Sequence, residues 1–268
     1  MLRVLRSSAT RFFTTSPVRT IKPFVPPRLS SARSIDVSAP FQKIQIPTKL
    51  KRRNNKFDGY VVGESKAPGI VVLQDWLGVD YHVQNHALRI SHLGNGFKVL
   101  IPDIYRGNRA QLFNGYDWED AMFKVHSSVE WLKSNGSKKV GVIGFCKGGA
   151  LAITSSCFFP PVDAVVAFYG VPCPLVGNSY CPVQAHFGEL DDLVGYSDVT
   201  AAKKLEVKLK ESGVPHEVHI YSGYRHTFMN RSSQEIKRWN KMGLPEDEVA
   251  VQLAWSRFET WMTRYLSS

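Results

Sequence analysis

From about residue 57 onward, short apolar runs alternate with longer amphipathic ones, and that rhythm limits the folds open to the chain. GIVVLQDW (69–76), FKVLIPDIY (97–105), KKVGVIGFC (138–146), DAVVAFYG (163–170), PVQAHFG (182–188) and HEVHIYSG (216–223) read as strands. Several are near-continuous in Val, Ile and Leu, the pattern of a parallel sheet covered on both faces. Helical patterns fall between them at roughly 82–94, 117–135, 147–157, 197–212 and 245–266. Asp117 can cap the second, and Ser197 or Asp198 the fourth. Pro245 followed by Glu246, Asp247 and Glu248 suits the first turn of the last. The alternation predicts an α/β fold, a mostly parallel sheet flanked by helices on both faces. No internal repeat is visible, and nothing marks a second domain.

The charge is confined to one end. Residues 1–53 hold twelve Lys/Arg against one acid, Asp36, and so carry the whole formal charge of +11. A nucleic-acid-binding fold would carry such charge on its body, so that class is set aside. No apolar run approaches the eighteen or so residues of a membrane span. The opening, MLRVLRSSATRFFTTSPVRT, is rich in Arg, Ser and Thr and lacks acids, the composition of a mitochondrial transit peptide. Leu2, Leu5, Phe12 and Phe13 can share a helical face, with Arg3, Arg6 and Arg11 around the others. The same arginines interrupt any secretory apolar core. RFFTTS resembles a two-step processing motif, which places the mature start near Ile21, and residues 22–40 read as a Pro/Ser-rich linker. The expected organisation is a transit peptide and linker over 1–40 and one catalytic domain over 41–268. The expected location is the mitochondrial matrix, reached through the import machinery, with the cytoplasm the alternative if the tail is merely solvated.

The chemistry centres on GFCKGG. Cys146 ends a strand, and Gly144 and Gly148 flank it as G-x-C-x-G, the nucleophile-elbow spacing with Cys in place of Ser. Strand and helix approach so closely at such a turn that side chains two before and two after the nucleophile would clash. The helix N-terminus behind Cys146 favours thiolate over thiol. The other cysteines, Cys157, Cys173 and Cys181, form no C-x-x-C pair, and no His/Cys cluster has zinc spacing. No metal or cofactor is expected. His82 and His86 have the i, i+4 spacing of a metal pair, but no third ligand is evident. A cysteine nucleophile needs a base, and the base an orienting acid. Asp191 and Asp192 follow the fifth predicted strand, and His226 follows the sixth, which matches the chain order nucleophile, acid, histidine. The residues alone leave Asp191 and Asp192 open. His216 and His219 read as surface or packing residues, His126 as structural, and His186 as core. QDWLG places Asp75 at a strand end level with the elbow, and the backbone N–H groups of Trp76 and Lys147 are the oxyanion donors expected of such a site. The Lys147 side chain either tunes Cys146 or attracts an anionic substrate, or simply reaches solvent.

VVLQDWLGV, IPDIYRG, KKVGVIGFCKGGALAI, VAFYGVP, HFGELDD and RHTF stand here in the order of the dienelactone hydrolases (carboxymethylenebutenolidases), and residues 57–266 resemble that cysteine branch of the α/β hydrolases. The resemblance implies an α/β-hydrolase fold with Cys146 as nucleophile, Asp191 as acid and His226 as base. It selects Asp191 over Asp192. The family usually has Glu where Asp75 stands, touching the resting thiol. Asp75 is one methylene shorter, which leaves that contact open to loss or to a bridging water. The family also holds the substrate carboxylate with arginine, for which Arg106 is the first candidate and Arg225 the second; Asn230 and Arg231 lie within reach of a substrate as well. The expected activity is hydrolysis of a dienelactone-like ester or lactone. The alternatives are an esterase or thioesterase for an endogenous metabolite, and a non-catalytic interaction or thiol-sensing module on the same fold.

Overall fold

The computed structural model describes residues 40–48, 55–107, 117–158, 162–172, 177–232, 236–237, 241 and 248–267. These fall within one compact unit, Arg33–Ser268. The expected transit peptide, and the linker up to residue 39, lie outside the described residues.

Eight strands form one sheet in the order β1-β2-β4-β3-β5-β6-β7-β8. The strands are β1 (Gln42–Thr48), β2 (Asn55–Val62), β3 (Gly69–Leu73), β4 (Lys98–Pro102), β5 (Val140–Phe145), β6 (Ala164–Phe168), β7 (Val183–Gly188) and β8 (His216–Tyr221). From β4 to β8 every pairing is parallel, while β1–β2 and β2–β4 are antiparallel. The helices are α1 (Tyr81–Ser91), α2 (Trp118–Ser134), α3 (Lys147–Ser155), α4 (Val199–Ser212) and α5 (Val249–Leu266). α2, α3 and α4 cover one face, and α1 and α5 the other.

Alternation along the strands fills both layers. Val140 and Val142 of β5 join the core beneath α2 and α3, whereas Ile143 and Phe145 join the core beneath α1 and α5. Each fully buried Val, Ile, Leu or Phe contributes about 1.5–3 kcal/mol, so the two apolar layers hold the sheet flat against its helices. Asp117 caps α2 by accepting from Asp120 N at 2.9 Å. Asp198, not Ser197, caps α4, accepting from Thr200 N and Ala201 N. α5 begins at Val249, so the proposed opening at Pro245 lies outside the described residues. No helix among the described residues is long and apolar enough to cross a membrane.

The β1–β2 pair was not foreseen. β1 is a sheet edge, half exposed, and tolerates Pro47 there because an edge N–H needs no partner. Gly59 interrupts the apolar run of β2 for a steric reason: a Cβ there would stand 2.7 Å from Ile46 Cδ1.

Candidate active site

β5 runs straight into α3, and Cys146 is the hinge between them. Its φ of 52° and ψ of −114° lie where side-chain-bearing residues are strained by about 1–3 kcal/mol. The surroundings enforce that conformation. Cys146 N donates to Phe168 O at 3.0 Å, and Cys146 O accepts from Ala150 N at 3.2 Å. A Cβ on Gly144 would lie 1.9 Å from Gly148 O, and one on Gly148 would lie 2.3 Å from Leu73 O. A Cβ on Gly170, at the end of the neighbouring strand, would lie 1.9 Å from Cys146 O. The thiol therefore stands at the carboxyl edge of the sheet, where α/β folds place their ligands.

The loops after β7 and β8 bring the partners. The His226 Nε2 atom lies 3.2 Å from Cys146 Sγ, and its Nδ1 lies 2.7 Å from Asp191 Oδ2. The second oxygen of Asp191 accepts from Leu193 N at 3.1 Å, which fixes the carboxylate toward the imidazole. With an acid against Nδ1, the ring proton resides there and Nε2 faces the sulfur. Burial opposes a charge on His226, but hydrogen bonds to Asp191 and Cys146, and their charges, outweigh it and push the imidazole up to about 10. A brace ties the two loops together: Glu189 N donates to Tyr221 O and Leu190 N to Tyr224 O, while Glu189 Oε2 accepts from Ser222 Oγ and Gly223 N.

Two groups around His226 were not anticipated. Ser197, fully buried, places its Oγ 3.1 Å from His226 Nδ1. Its place beside the Asp198 cap made it read as a helix-start residue. The Tyr169 ring meets the imidazole edge-on at 5.1 Å. Among the described non-glycine residues, φ is positive at Arg106, Cys146, Tyr169 and Thr227. Two of these are Cys146 itself and the aromatic wall of His226, and a third follows His226 directly, so backbone strain gathers around the thiol.

Leu73 pairs with Gly144, so the residues two further along, Asp75 and Cys146, emerge side by side. Asp75 Oδ1 accepts from Leu77 N at 2.7 Å, and among the described residues no hydrogen bond joins it to Cys146. The shorter side chain is committed to its own turn. Burial, reinforced by Asp80, raises its carboxyl to about 7, against the pull of Leu77 N–H, His82 and His226. Trp76 packs against both cores, and α3 opens on Lys147. Lys147 is 6% exposed, so most of its side chain is withdrawn from solvent. Burial lowers its ammonium to about 8, with Cys146 pulling the other way.

The Asp75 shift has a measurable consequence. An unfolded carboxyl releases its proton near 3.8, whereas folded Asp75 keeps it up to about 7. Between those values the folded state binds more protons than the unfolded one, so Asp75 lowers stability as pH rises through that window. Asp75→Asn retains an acceptor for Leu77 N and removes the titration. Relative to the parent protein, it should gain about 1–2 kcal/mol of stability between pH 4 and pH 8, read from urea melts at both values.

Arg106 is exposed in the turn after β4, and Arg225 pairs with the exposed Asp192 at 3.5 Å. Neither lines the cleft of about 150 Å³ between α1, α5 and the segment after His226, where His82, His86, Arg89, Arg231 and Trp255 stand with Glu248. In its wall His86 stacks on Phe145, the residue before Cys146, at 4.2 Å, and its Nε2 lies 3.2 Å from Asn230 Oδ1. Arg231, only loosely singled out in the sequence, lines this cleft together with Arg89, and its Nε lies 3.8 Å from Glu248 Oε1.

The comparisons agree with this architecture. The chain is 29% identical over 240 residues to "Protein usf" of Aquifex pyrophilus, covering 82% of this chain and 98% of that protein. It is 26% identical over 214 residues to the carboxymethylenebutenolidase homolog of Xenopus tropicalis, covering 74% and 82%. Among solved structures, a dienelactone hydrolase-like promiscuous phosphotriesterase from metagenomic libraries matches with a TM-score of 0.64 at 21% identity, covering 84% of this chain and 98% of that one. The Pyrococcus furiosus esterase Pf2001 matches with a TM-score of 0.64 at 15% identity, covering 94% and 100%. The family model for dienelactone hydrolases matches residues 57–266, and the chain belongs to the dienelactone hydrolase family, as a carboxylic ester hydrolase of α/β-hydrolase fold.

Proposed function

We propose that the protein hydrolyses an ester or lactone of dienelactone type through Cys146, His226 and Asp191. The observation that carries this reading is the continuous relay from Asp191 Oδ2 through His226 to Cys146 Sγ, at 2.7 and 3.2 Å, ending on a strained residue at a helix N-terminus. Cys146 Sγ attacks the carbonyl carbon as a thiolate, and its proton rests on His226 Nε2. Asp191 and Ser197 hold the imidazolium in position from the Nδ1 side. The oxyanion is held by the backbone N–H groups of Trp76 and Lys147, each worth roughly 2.7–4 kcal/mol by precedent. Collapse breaks the C–O bond, and the departing oxygen takes the proton from His226 Nε2. His226 then removes a proton from water, which adds to the thioester and releases the acid with Cys146 restored.

The test is direct. Protein mixed with p-nitrophenyl acetate and quenched in acid should show a burst of nitrophenol and an acetyl group on the peptide that contains Cys146. An acetyl group on any other residue, or hydrolysis with no dependence on Cys146, would overturn the assignment. Turnover of a dienelactone, compared with an acyl thioester, then separates the lactone reading from the thioesterase one.

A further inference from the structure

A second cleft, of about 230 Å³, lies at the opposite edge of the sheet from Cys146. Its floor is Gln184 and Glu217, the second residues of β7 and β8, and its wall is Arg257, Trp261 and Arg264 on α5. The three catalytic candidates follow the carboxyl ends of the strands, so the length of the sheet separates the two sites. None of these lining residues enters the hydrolytic scheme.

Gln184 and one oxygen of Glu217 are engaged within the cleft, while two of its donors are not. Gln184 Nε2 donates to Glu217 Oε2 at 2.9 Å and to Arg257 O at 3.4 Å, while Gln184 Oε1 lies 2.9 Å from His186 Nε2. Glu217 Oε2 also lies 3.1 Å from His219 Nε2. Burial works against the Glu217 charge, but the hydrogen bonds of Gln184 and His219 prevail and keep its carboxyl below the usual range. The Arg257 guanidinium sits over the Tyr221 ring at 5.4 Å. Two donors are left. Trp261 is 2% exposed, and its indole N–H is buried without an acceptor among the described residues. Arg264 is exposed and senses Glu217, yet forms no ion pair among the described residues. Buried polar groups are satisfied in the great majority of cases, so an orphaned donor in a cleft wall marks a place for an acceptor.

We propose that this cleft binds a small organic carboxylate. Arg264 takes the carboxylate as a planar two-donor fork, and the Trp261 N–H meets a second oxygen of the ligand. Two guanidinium groups against the single carboxylate of Glu217 set the sign of the ligand. The volume, equal to the share of about eight waters, limits it to a few carbons.

Glutarate titrated into ¹⁵N-labelled protein tests this. Of the six tryptophan indole N–H signals, that of Trp261 is the one lost in Trp261→Phe; if that variant fails to fold, triple-resonance assignment supplies it. The Trp261 signal should shift and saturate, with half-saturation at about 1–10 mM, and Arg264→Gln should weaken the binding about tenfold or more. The response of the Trp76 indole, beside Cys146, should be the same in Arg264→Gln as in the parent. A Trp261 signal that stays still, drifts without saturating, responds equally to neutral glutaramide, or titrates unchanged in Arg264→Gln overturns the proposal. None of these readouts depends on ester hydrolysis.

Discussion

Cys146→Ala should lower kcat for p-nitrophenyl esters and for dienelactone by about 10⁵ or more, leaving only what the oxyanion donors and binding supply. The thiol is the sole nucleophile in the relay, so its loss removes the covalent route and not merely one hydrogen bond. The fold should survive. Ala takes the strained φ of 52° no less well than Cys, and the thiol is one small buried group, so the melting temperature should move by only a few degrees. The other thiols provide the control. Cys181 is pushed up to about 12 by burial, then by Cys157 and Asp163, and burial likewise raises Cys157. Both are poor nucleophiles at neutral pH. Iodoacetamide at pH 7 should therefore alkylate Cys146 ahead of Cys157 and Cys181 and abolish activity in step with that one modification. Cys157→Ser should leave kcat within about twofold of the parent. Retention of more than about a tenth of the activity in Cys146→Ala would move the chemistry to another residue.

The parallel part of this fold could be read from the chain because β3 to β7 are buried on both faces and therefore mostly apolar, near-continuously so in β3, β5 and β6. β1 and β2 escaped notice because edge pairing asks little of side chains: β1 shows its exposed face to solvent and carries a proline, and β2 needs Gly59 to admit Ile46. At the site, position was legible and orientation was not. Strand ends pointed to Asp75, Cys146, the Asp191–Asp192 pair and His226. The choice between the two aspartates is made in space: the Asp191 side chain is fully buried against His226, whereas that of Asp192 is 79% exposed beside Arg225. Ser197 carries no spacing signal, because a serine next to a helix start has an ordinary local use. For Lys147 the sequence left the site and solvent both open; α3 is buried along its whole length between β5, β6 and the neighbouring helix.

Gly144→Ala should prevent folding or cost more than about 4 kcal/mol, while Gly141→Ala, three residues earlier in the same strand, should cost about 1–3 kcal/mol. The two glycines look alike in VGVIGF. What differs is the neighbour each would strike. A Cβ on Gly144 would meet the carbonyl oxygen of Gly148 at 1.9 Å and its carbon at 2.1 Å, both backbone atoms of the helix that carries the thiol's own turn. Relieving that overlap means moving α3 off β5, which undoes the closure around Cys146. A Cβ on Gly141 would meet Met262 Sδ at 2.8 Å and Leu266 Cδ1 at 3.1 Å, both side-chain atoms on α5. Methionine has three soft torsions and can swing aside within the core. Urea melts of both variants, with the p-nitrophenyl ester rate of whatever folds, separate the cases. Gly141→Ala should keep the rate near that of the parent, because the atoms it meets are side-chain atoms of α5 and not the backbone of the turn that holds Cys146. If Gly144→Ala folds with near-parent stability and activity, the close strand–helix contact does not set the geometry of Cys146.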